Sequence, residues 1–404
     1  MAAPLGNPRR STRSWLGLGL RVAFTLGCLA YLGFTVPISD VIDLKAGGKA
    51  RGALVPWPGG KLTDPAEGVV LRLKGGVLRR IAPAELEAPP EAPETAVHLG
   101  LLSALGGIRW SLMGLALLLL GMNQPILALR WKSLLDAQGI RLSFGSVLRL
   151  NFLGLFFNNT MPGQTGGDLV KAYAVAKKVP GRGTAAVVTV FLDRAVGLLG
   201  LVLLAGTVSV AMALHDPGFK NGIWVKAAWL IGGMLGGLVV GGGLYLSPLR
   251  QRWLPPGRVA SLRWIGPVLA EVDEAVTLYR NRRVAVLRSL SLALLNHAGY
   301  ILMGVAIGRA LVISPDKAGL AHFIVLIHIV SMVGCLPISI MGFGVGDWAY
   351  VETFGRILDV PQSKALALSL LTRFCIIAWG LLGGLAVLLT RKRREEPHVP
   401  GASS

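Results

Sequence analysis

Long apolar runs dominate this chain, and six of them are long enough to cross a lipid bilayer. A transmembrane helix needs about 20 consecutive, mainly apolar residues to cross a hydrocarbon layer about 30 Å thick. The basic flanks of each run predict its direction, because cytoplasmic loops carry an excess of lysine and arginine. This pattern predicts cytoplasmic N- and C-termini. The predicted spans are Trp15–Val36, Ile108–Leu129, Ala185–Leu214, Trp224–Leu246, Leu290–Ile313 and Ala365–Leu389.

The stretch between the first two runs, residues 37–105, has a different pattern. It is rich in proline and contains most of the early acidic residues. Two β-prone runs, Val69–Leu73 and Val77–Ile81, flank a Gly-Gly pair, which is typical of a β-hairpin. We therefore expect a small extracytoplasmic insert that contains a hairpin.

Two further apolar segments are interrupted by proline and glycine. The first runs from Phe152 to Lys171, with the break at Pro162 and basic residues on both sides. A re-entrant hairpin, which enters from the cytoplasm and returns to it, keeps both basic flanks inside. The second segment breaks at Pro337 and ends at Asp347. The basic cluster at residues 391–394 predicts that the last span ends in the cytoplasm and therefore begins outside. The second hairpin, which precedes that span, is thus predicted to enter from the outside and return there.

Each broken segment contains an apolar helix, a proline, a glycine cluster and an acid, in opposite membrane orientations. Inverted repeats whose broken helices meet near the midplane are typical of secondary transporters. The predicted fold is an all-α polytopic membrane protein with about six full spans and two re-entrant hairpins. The alternative is eight or more full spans. The predicted organisation is residues 1–36 (cytoplasmic N-terminus and first helix), 37–105 (insert), 106–390 (transmembrane domain) and 391–404 (basic cytoplasmic tail).

Composition supports a membrane protein: 53% of residues are hydrophobic, and only 15% are charged. The formal net charge of +20 suits cytoplasmic loops that face anionic headgroups. A nucleic-acid-binding protein would need a soluble domain to carry the basic patch, and the pattern predicts none. The three cysteines lie within apolar segments and lack metal-ligand spacing, so we expect no disulfide framework, metal site or cofactor.

Ionisable and polar residues near the two breaks are the candidate site, because charges at membrane depth are costly and usually functional. Free N–H groups at the start of a half-helix suit a phosphate, and Lys171 would add positive charge. The alternatives are that Asp168 caps its helix while Lys171 extends to the interface, and that Asp193 and Arg194 form internal ion pairs. The candidate substrate-binding residues are Asn158, Asn159, Gln164, Thr165, Asp168, Lys171, Asp193, Arg194, Ser339, Asp347 and Arg373.

The motifs Arg130-Trp131, Met161-Pro162-Gly163, Gly166-Gly167-Asp168 and Gly342-Phe-Gly344-Val-Gly346-Asp347 resemble the lysylphosphatidylglycerol synthase transmembrane (flippase-like) family. The likeness extends over about residues 110–390. Two positions depart from that family's pattern, with Lys171 where arginine is common and Asp347 where glutamate is common. A lysine ammonium binds phosphate as a point charge. The two-point contact with phosphate that an arginine could make in the family is therefore not inferred for Lys171. The soluble aminoacyl-transferase domain of the full-length synthases has no counterpart here, so its activity is not carried over either.

The resemblance implies transport of an anionic or lipid-linked substrate across the inner (plasma) membrane. Our sequence-based hypothesis is a flippase-like transporter, not an enzyme, that moves an anionic phospholipid or lipid-linked glycan headgroup. Membrane lipids are the expected partners, and nucleic acid is not. A membrane-embedded lipid transferase and a non-transporting assembly partner of an envelope-synthesis enzyme remain the alternatives. No P-loop or Gly-x-Ser-x-Gly elbow is present, so the sequence does not support a nucleotide-driven pump or a serine hydrolase.

Overall fold

The computed structural model describes residues 12–55, 68–73, 76–87, 96–160, 166–215, 229, 231–237, 240, 282–335 and 343–395. Those residues are mainly helical, with one small β region. The helices are α1 (Thr12–Thr35), α2 (Leu101–Gly106), α3 (Trp110–Ala137), α4 (Phe144–Thr160), α5 (Gly166–Lys178), α6 (Gly183–His215), α7 (Arg283–Ala310), α8 (Leu320–Cys335), α9 (Val345–Tyr350) and α10 (Gln362–Glu395). A π-helical turn, Val351–Ile357, continues α9.

The chain forms two compact units. Of the described residues, those within 1–107 and 330–369 form the first unit, and those within 108–161, 165–329 and 370–404 form the second. The insert and Asp347 belong to the first unit. Helices α3 to α7 and most of the candidate residues belong to the second.

Among the described residues, four helices are long and apolar enough to span a membrane: Trp110–Ala137, Gly183–Leu214, Val284–Ala310 and Gln362–Leu385. They correspond to the predicted second, third, fifth and sixth spans. The predicted first span coincides with α1, which has 24 residues. The predicted fourth span lies mostly outside the described residues, and those described within it, such as 231–237, are helical.

The first broken segment forms two short helices. Helix α4 has 17 residues and α5 has 13, about 25 and 20 Å long at 1.5 Å per residue. Gly154 of α4 lies against Gly167 and Lys171 of α5, and Asn158, one turn later on α4, lies against Gly167. Because later residues of α4 contact earlier residues of α5, the two helices run antiparallel. The helical hairpin is therefore present, while its re-entry into the membrane stays a prediction. The break itself, 161–165, lies outside the described residues.

The second broken segment begins with the predicted apolar helix, α8. The proposed break at Pro337 lies outside the described residues, and the chain is described again from Phe343. Gly344 adopts a φ of +76°, a left-handed conformation that costs glycine little, and α9 begins directly after it. The re-entry of this segment, like that of the first, stays a prediction.

The insert is a five-stranded antiparallel sheet, larger than the single predicted hairpin. The hairpin itself is confirmed, because β3 (Val69–Arg72) pairs with β4 (Leu78–Ile81). Strands β1 (Asp40–Leu44), β2 (Gly48–Leu54) and β5 (Val97–His98) complete the order β4-β3-β2-β1-β5. One face packs around the buried side chains of Ile42, Leu71 and Ile81.

The buried carboxylate of Asp40 ties the insert together. It accepts hydrogen bonds from Leu54 N at 2.7 Å, Gly100 N at 2.6 Å and Ser103 Oγ at 2.7 Å. These donors lie at the end of β2, after β5 and in α2. A buried carboxylate needs such compensation for the water it loses, so Asp40 holds three distant parts of the insert in register.

Candidate functional site

Three charged side chains from α3, α5 and α6 meet in the interior of the second unit. Arg130 Nε donates to Asp193 Oδ1 at 2.7 Å, and Lys171 Nζ lies 3.6 Å from Asp193 Oδ2. All three residues are buried, with exposures between 5% and 7%. We call Arg130, Lys171 and Asp193 the buried triad.

An aromatic ring covers the lysine of this triad. Lys171 Nζ lies 3.8 Å from the centroid of the Trp131 ring, which has no exposed surface. The indole N–H donates to Thr189 Oγ1 at 3.0 Å, and this bond fixes the plane of the ring. An ammonium over an aromatic face is stabilised electrostatically without using its hydrogen-bond donors on that face. Lys171 is therefore held in place while still carrying donors that could bind an anion.

A second ion pair lies one residue further along α6. Arg194 Nε donates to Asp168 Oδ2 at 2.5 Å, and both side chains are partly exposed. Asp168 and Lys171 are three residues apart on α5, and their partners, Arg194 and Asp193, are adjacent on α6. The two helices are thus joined by ion pairs of opposite polarity, which fixes their relative register.

The start of α5 packs very closely on α4. A Cβ at Gly167 would overlap the carbonyl oxygen of Gly154, and Gly167 N donates to Asn158 Oδ1 at 2.8 Å. Gly154 in turn lies against the aliphatic stem of Lys171. Small residues at these positions let the backbones approach, as is common where helices pack in membranes. This contact sets the position from which the lysine reaches the triad.

The buried triad carries two formal positive charges and one negative charge. The Asp168–Arg194 pair beside it adds no net charge, so the excess is a single buried cation. The N-terminus of α5 contributes a partial positive charge as well. An excess of positive charge in a desolvated place favours a bound anion, and a tetrahedral phosphate can accept from both an ammonium and free N–H groups.

The remaining predicted residues take other positions. Asn159 Nδ2 donates to Ile376 O on α10 at 3.1 Å, which is a helix-to-helix contact. Arg373, also on α10, is half-buried. The candidates Gln164, Thr165 and Ser339 lie outside the described residues.

Asp347 lies in the first unit and is buried, with 2% of its surface exposed. It accepts from Gly344 N at 3.0 Å and from Ser369 Oγ at 2.6 Å. The first contact is a helix cap, in which the carboxylate of the third residue of α9 accepts from the backbone N–H of the residue before the helix. Its observed contacts are thus those of a residue that positions the helix.

Sequence reasoning missed Arg130, Trp131 and Thr189 as members of the site. In the sequence, Arg130 directly follows the predicted second span, where a basic residue is expected as a cytoplasmic flank. Helix α3 continues to Ala137, so Arg130 is 6% exposed and paired with Asp193. A signal was available: an intramembrane acid such as Asp193 requires a partner, and arginine is the usual one.

Comparison with known proteins agrees with the sequence motifs. Residues 100–384 match the family model of the lysylphosphatidylglycerol synthase TM region. This range includes every residue of the buried triad and the Asp168–Arg194 pair.

Two membrane proteins of archaea are similar over most of the chain. A UPF0104 membrane protein of Pyrococcus horikoshii is 28% identical over 295 residues, 69% of this chain and 87% of that protein. A UPF0104 membrane protein of Methanocaldococcus jannaschii is 24% identical over 302 residues, 70% of this chain and 85% of that protein. The chain therefore belongs to the family of the lysylphosphatidylglycerol synthase transmembrane region, as its motifs predicted.

Proposed function

We propose that this protein is a flippase-like transporter that moves the headgroup of an anionic phospholipid or a lipid-linked glycan across the membrane. The observation that supports it most directly is the buried triad, whose net charge is positive in a place with little water. The chemistry shared by the two substrate sources is a phosphate esterified to a lipid. Family membership is consistent with this function without specifying it.

Lys171 is the triad member best suited to bind the phosphate. Arg130 is engaged with Asp193 through a direct hydrogen bond at 2.7 Å, whereas Lys171 lies 3.6 Å from the same carboxylate. A phosphate oxygen can therefore bind the ammonium while the Arg130–Asp193 pair stays closed. In this scheme Arg130 and Asp193 position the site, and Lys171 contacts the substrate.

The two interrupted segments supply the means of movement in this proposal. The inverted repeat predicted from their opposite flanking charges would let one half move against the other, with the headgroup enclosed and the acyl chains left in the bilayer. In this proposal the headgroup is held at the buried triad, next to the first broken segment. No ATP-binding motif is present in the sequence, so we propose movement that is passive, coupled to an ion gradient, or energised by another protein.

A leaflet-accessibility assay tests transport directly. Purified protein is reconstituted with a fluorescent phosphatidylglycerol, a fluorescent phosphatidylcholine or a fluorescent polyprenyl phosphate, and dithionite bleaches only the label in the outer leaflet. We expect inner-leaflet phosphatidylglycerol or polyprenyl phosphate to become accessible faster than in protein-free vesicles, and phosphatidylcholine to stay protected. The preferred label distinguishes a phospholipid from a lipid-linked substrate.

The matched variants are Lys171→Met and Lys132→Met. Lys132 is a partly exposed lysine on α3 that pairs with Asp136, so its loss controls for a change of charge. Lys171→Met should abolish the acceleration, and Lys132→Met should retain it. If folded Lys171→Met protein transports as well as wild type, the proposed site is wrong. If no label is moved by wild type, the assembly-partner alternative is favoured.

A further inference from the structure

Two histidines lie close together in the second unit, His297 half-buried on α7 and His328 buried on α8. The ring centroids of His297 and His328 are 5.1 Å apart. His328 is 1% exposed, and its Nε2 has no hydrogen-bond partner among the described residues. A buried imidazole nitrogen without a partner is uncommon and costs free energy unless it has another use.

The hydrogen bonds of these rings fix where each can accept a proton. His328 Nδ1 bonds to Ile324 O, and His297 Nε2 bonds to Gly197 O at 2.9 Å. Carbonyl oxygens only accept, so both of these nitrogens carry hydrogen, and in the neutral ring the opposite nitrogen is left as a base. The pair thus presents two basic nitrogens, His297 Nδ1 and His328 Nε2, in the interior of the protein.

The histidine pair is linked to the buried triad through Gly197. The carbonyl of Gly197 accepts from His297, and a Cβ at Gly197 would lie 3.1 Å from Arg130 Nη1. The same guanidinium of Arg130 contacts Asp193 Oδ1 on α6 through its Nε atom. Lys171 on α5 lies near the second oxygen of that carboxylate, Oδ2.

A further polar group lies on the same side of α3. Asn123 is two turns before Arg130, is 2% exposed, and packs against Gly299 on α7. Its Nδ2 atom has no hydrogen-bond partner among the described residues. Buried polar groups are therefore present on α3 near α7, the helix that carries His297.

We propose that the His297–His328 pair is a proton-binding site that takes up one proton together with the anionic headgroup bound at the buried triad. This inference rests on the proposed function and adds its energy coupling. Without substrate, the nearby net positive charge of the triad opposes a further proton. A bound phosphate cancels that charge, so protonation of the pair and binding of the anion favour each other, and such coupling is reciprocal. Two charged rings this close would repel, so the pair holds one proton.

The test is the pH dependence of headgroup binding by the full-length protein in detergent. The probe is a short-chain phosphatidylglycerol, and its Kd is measured by calorimetry at several pH values around the ordinary histidine pKa, about 6.5. For one coupled proton, the Kd should tighten as the pH falls, by at most about tenfold per pH unit. Calorimetry in two buffers of different ionisation enthalpy should also show net proton uptake by wild-type protein, a result that needs no variant.

The variants are His297→Gln and His328→Gln, because a glutamine amide keeps a donor and an acceptor but binds no proton. At a pH above about 8, each variant should bind the lipid with a Kd close to that of wild type. At lower pH, the Kd of each variant should change much less with pH than that of wild type. His322→Gln is the control, since His322 lies six residues earlier on α8 and bonds to Gly319 N at its start. This control should keep the pH dependence.

The possible failures are distinguishable. Lipid binding by wild type that is independent of pH, without proton uptake, would overturn the coupling and leave the proposed headgroup site standing. Absence of binding at every pH, both of this probe and of the polyprenyl phosphate used in the leaflet assay, would overturn the headgroup site and the coupling with it. Equal loss of pH dependence in His322→Gln would also contradict the assignment to the histidine pair.

Discussion

Replacement of Arg130 by methionine should destabilise the protein strongly, whereas the same change at Lys171 should not. Arg130 makes the short contact to Asp193, with both residues at least 93% buried. Its loss leaves a buried carboxylate facing only the more distant ammonium. Removing one partner of a buried ion pair costs about 3–5 kcal/mol, and we expect Arg130→Met to lose that much free energy of unfolding. Lys171→Met leaves the main pair intact, so we expect a loss well below that of Arg130→Met.

The free energy of unfolding can be measured by titrating the protein from mild micelles into denaturing detergent. Lys132→Met provides the baseline, because exposed ion pairs four residues apart on a helix contribute about 0.3–0.5 kcal/mol. We expect wild type, Lys132→Met and Lys171→Met to have similar free energies of unfolding. Arg130→Met should have a much lower one. Equal stability of Arg130→Met and Lys132→Met would refute the assignment of Arg130 as the structural partner of Asp193.

Three further changes test the packing and the insert. Gly167→Ala should prevent α5 from seating on α4 and reduce the yield of monodisperse protein, whereas Gly145→Ala, with open space at its Cβ, should not. Asp40→Asn should expose the insert to limited proteolysis, since it weakens charge-assisted bonds worth about 1.5–3 kcal/mol each. Although burial raises the pKa of Asp43, the stronger combined effect of His98 and a nearby lysine holds it below its ordinary value. The insert should therefore lose stability as the pH falls below about 4, and Asp43→Asn should flatten this dependence in a proteolysis profile.

Local patterns were sufficient to predict the long apolar helices α3, α6, α7 and α10. The apolar run after Ile108 predicts α3, and the proline–glycine cluster near Pro162 predicts where α4 gives way to α5. Both follow from rules that act within a few residues: the length of apolar sequence needed to span a bilayer, and the inability of proline to continue a helix. The hairpin of β3 and β4 was predictable for the same reason, because a short Gly-containing turn joins its strands.

Long-range pairing was not predictable in this way. From its neighbours in the sequence alone, Arg130 is predicted to be a cation at the membrane interface. Its partner in the structure, Asp193, lies 63 positions away in the sequence. Strand β1 begins with Asp40, which is unusual for a buried strand and is explained only by donors near residues 54 and 100. In both cases a charged residue is buried because distant backbone or side-chain groups compensate it, and no local pattern encodes those groups.

The most direct test of the proposed headgroup site is mass spectrometry of the lipids that copurify with wild type, Lys171→Met and Lys132→Met. A headgroup bound at Lys171 predicts that an anionic or lipid-linked phosphate is enriched over the bulk membrane in wild type and in Lys132→Met, and is lost in Lys171→Met. If all three proteins retain bulk lipid in the same proportions, the buried triad is not a headgroup site, and its charges serve only to hold α3, α5 and α6 together.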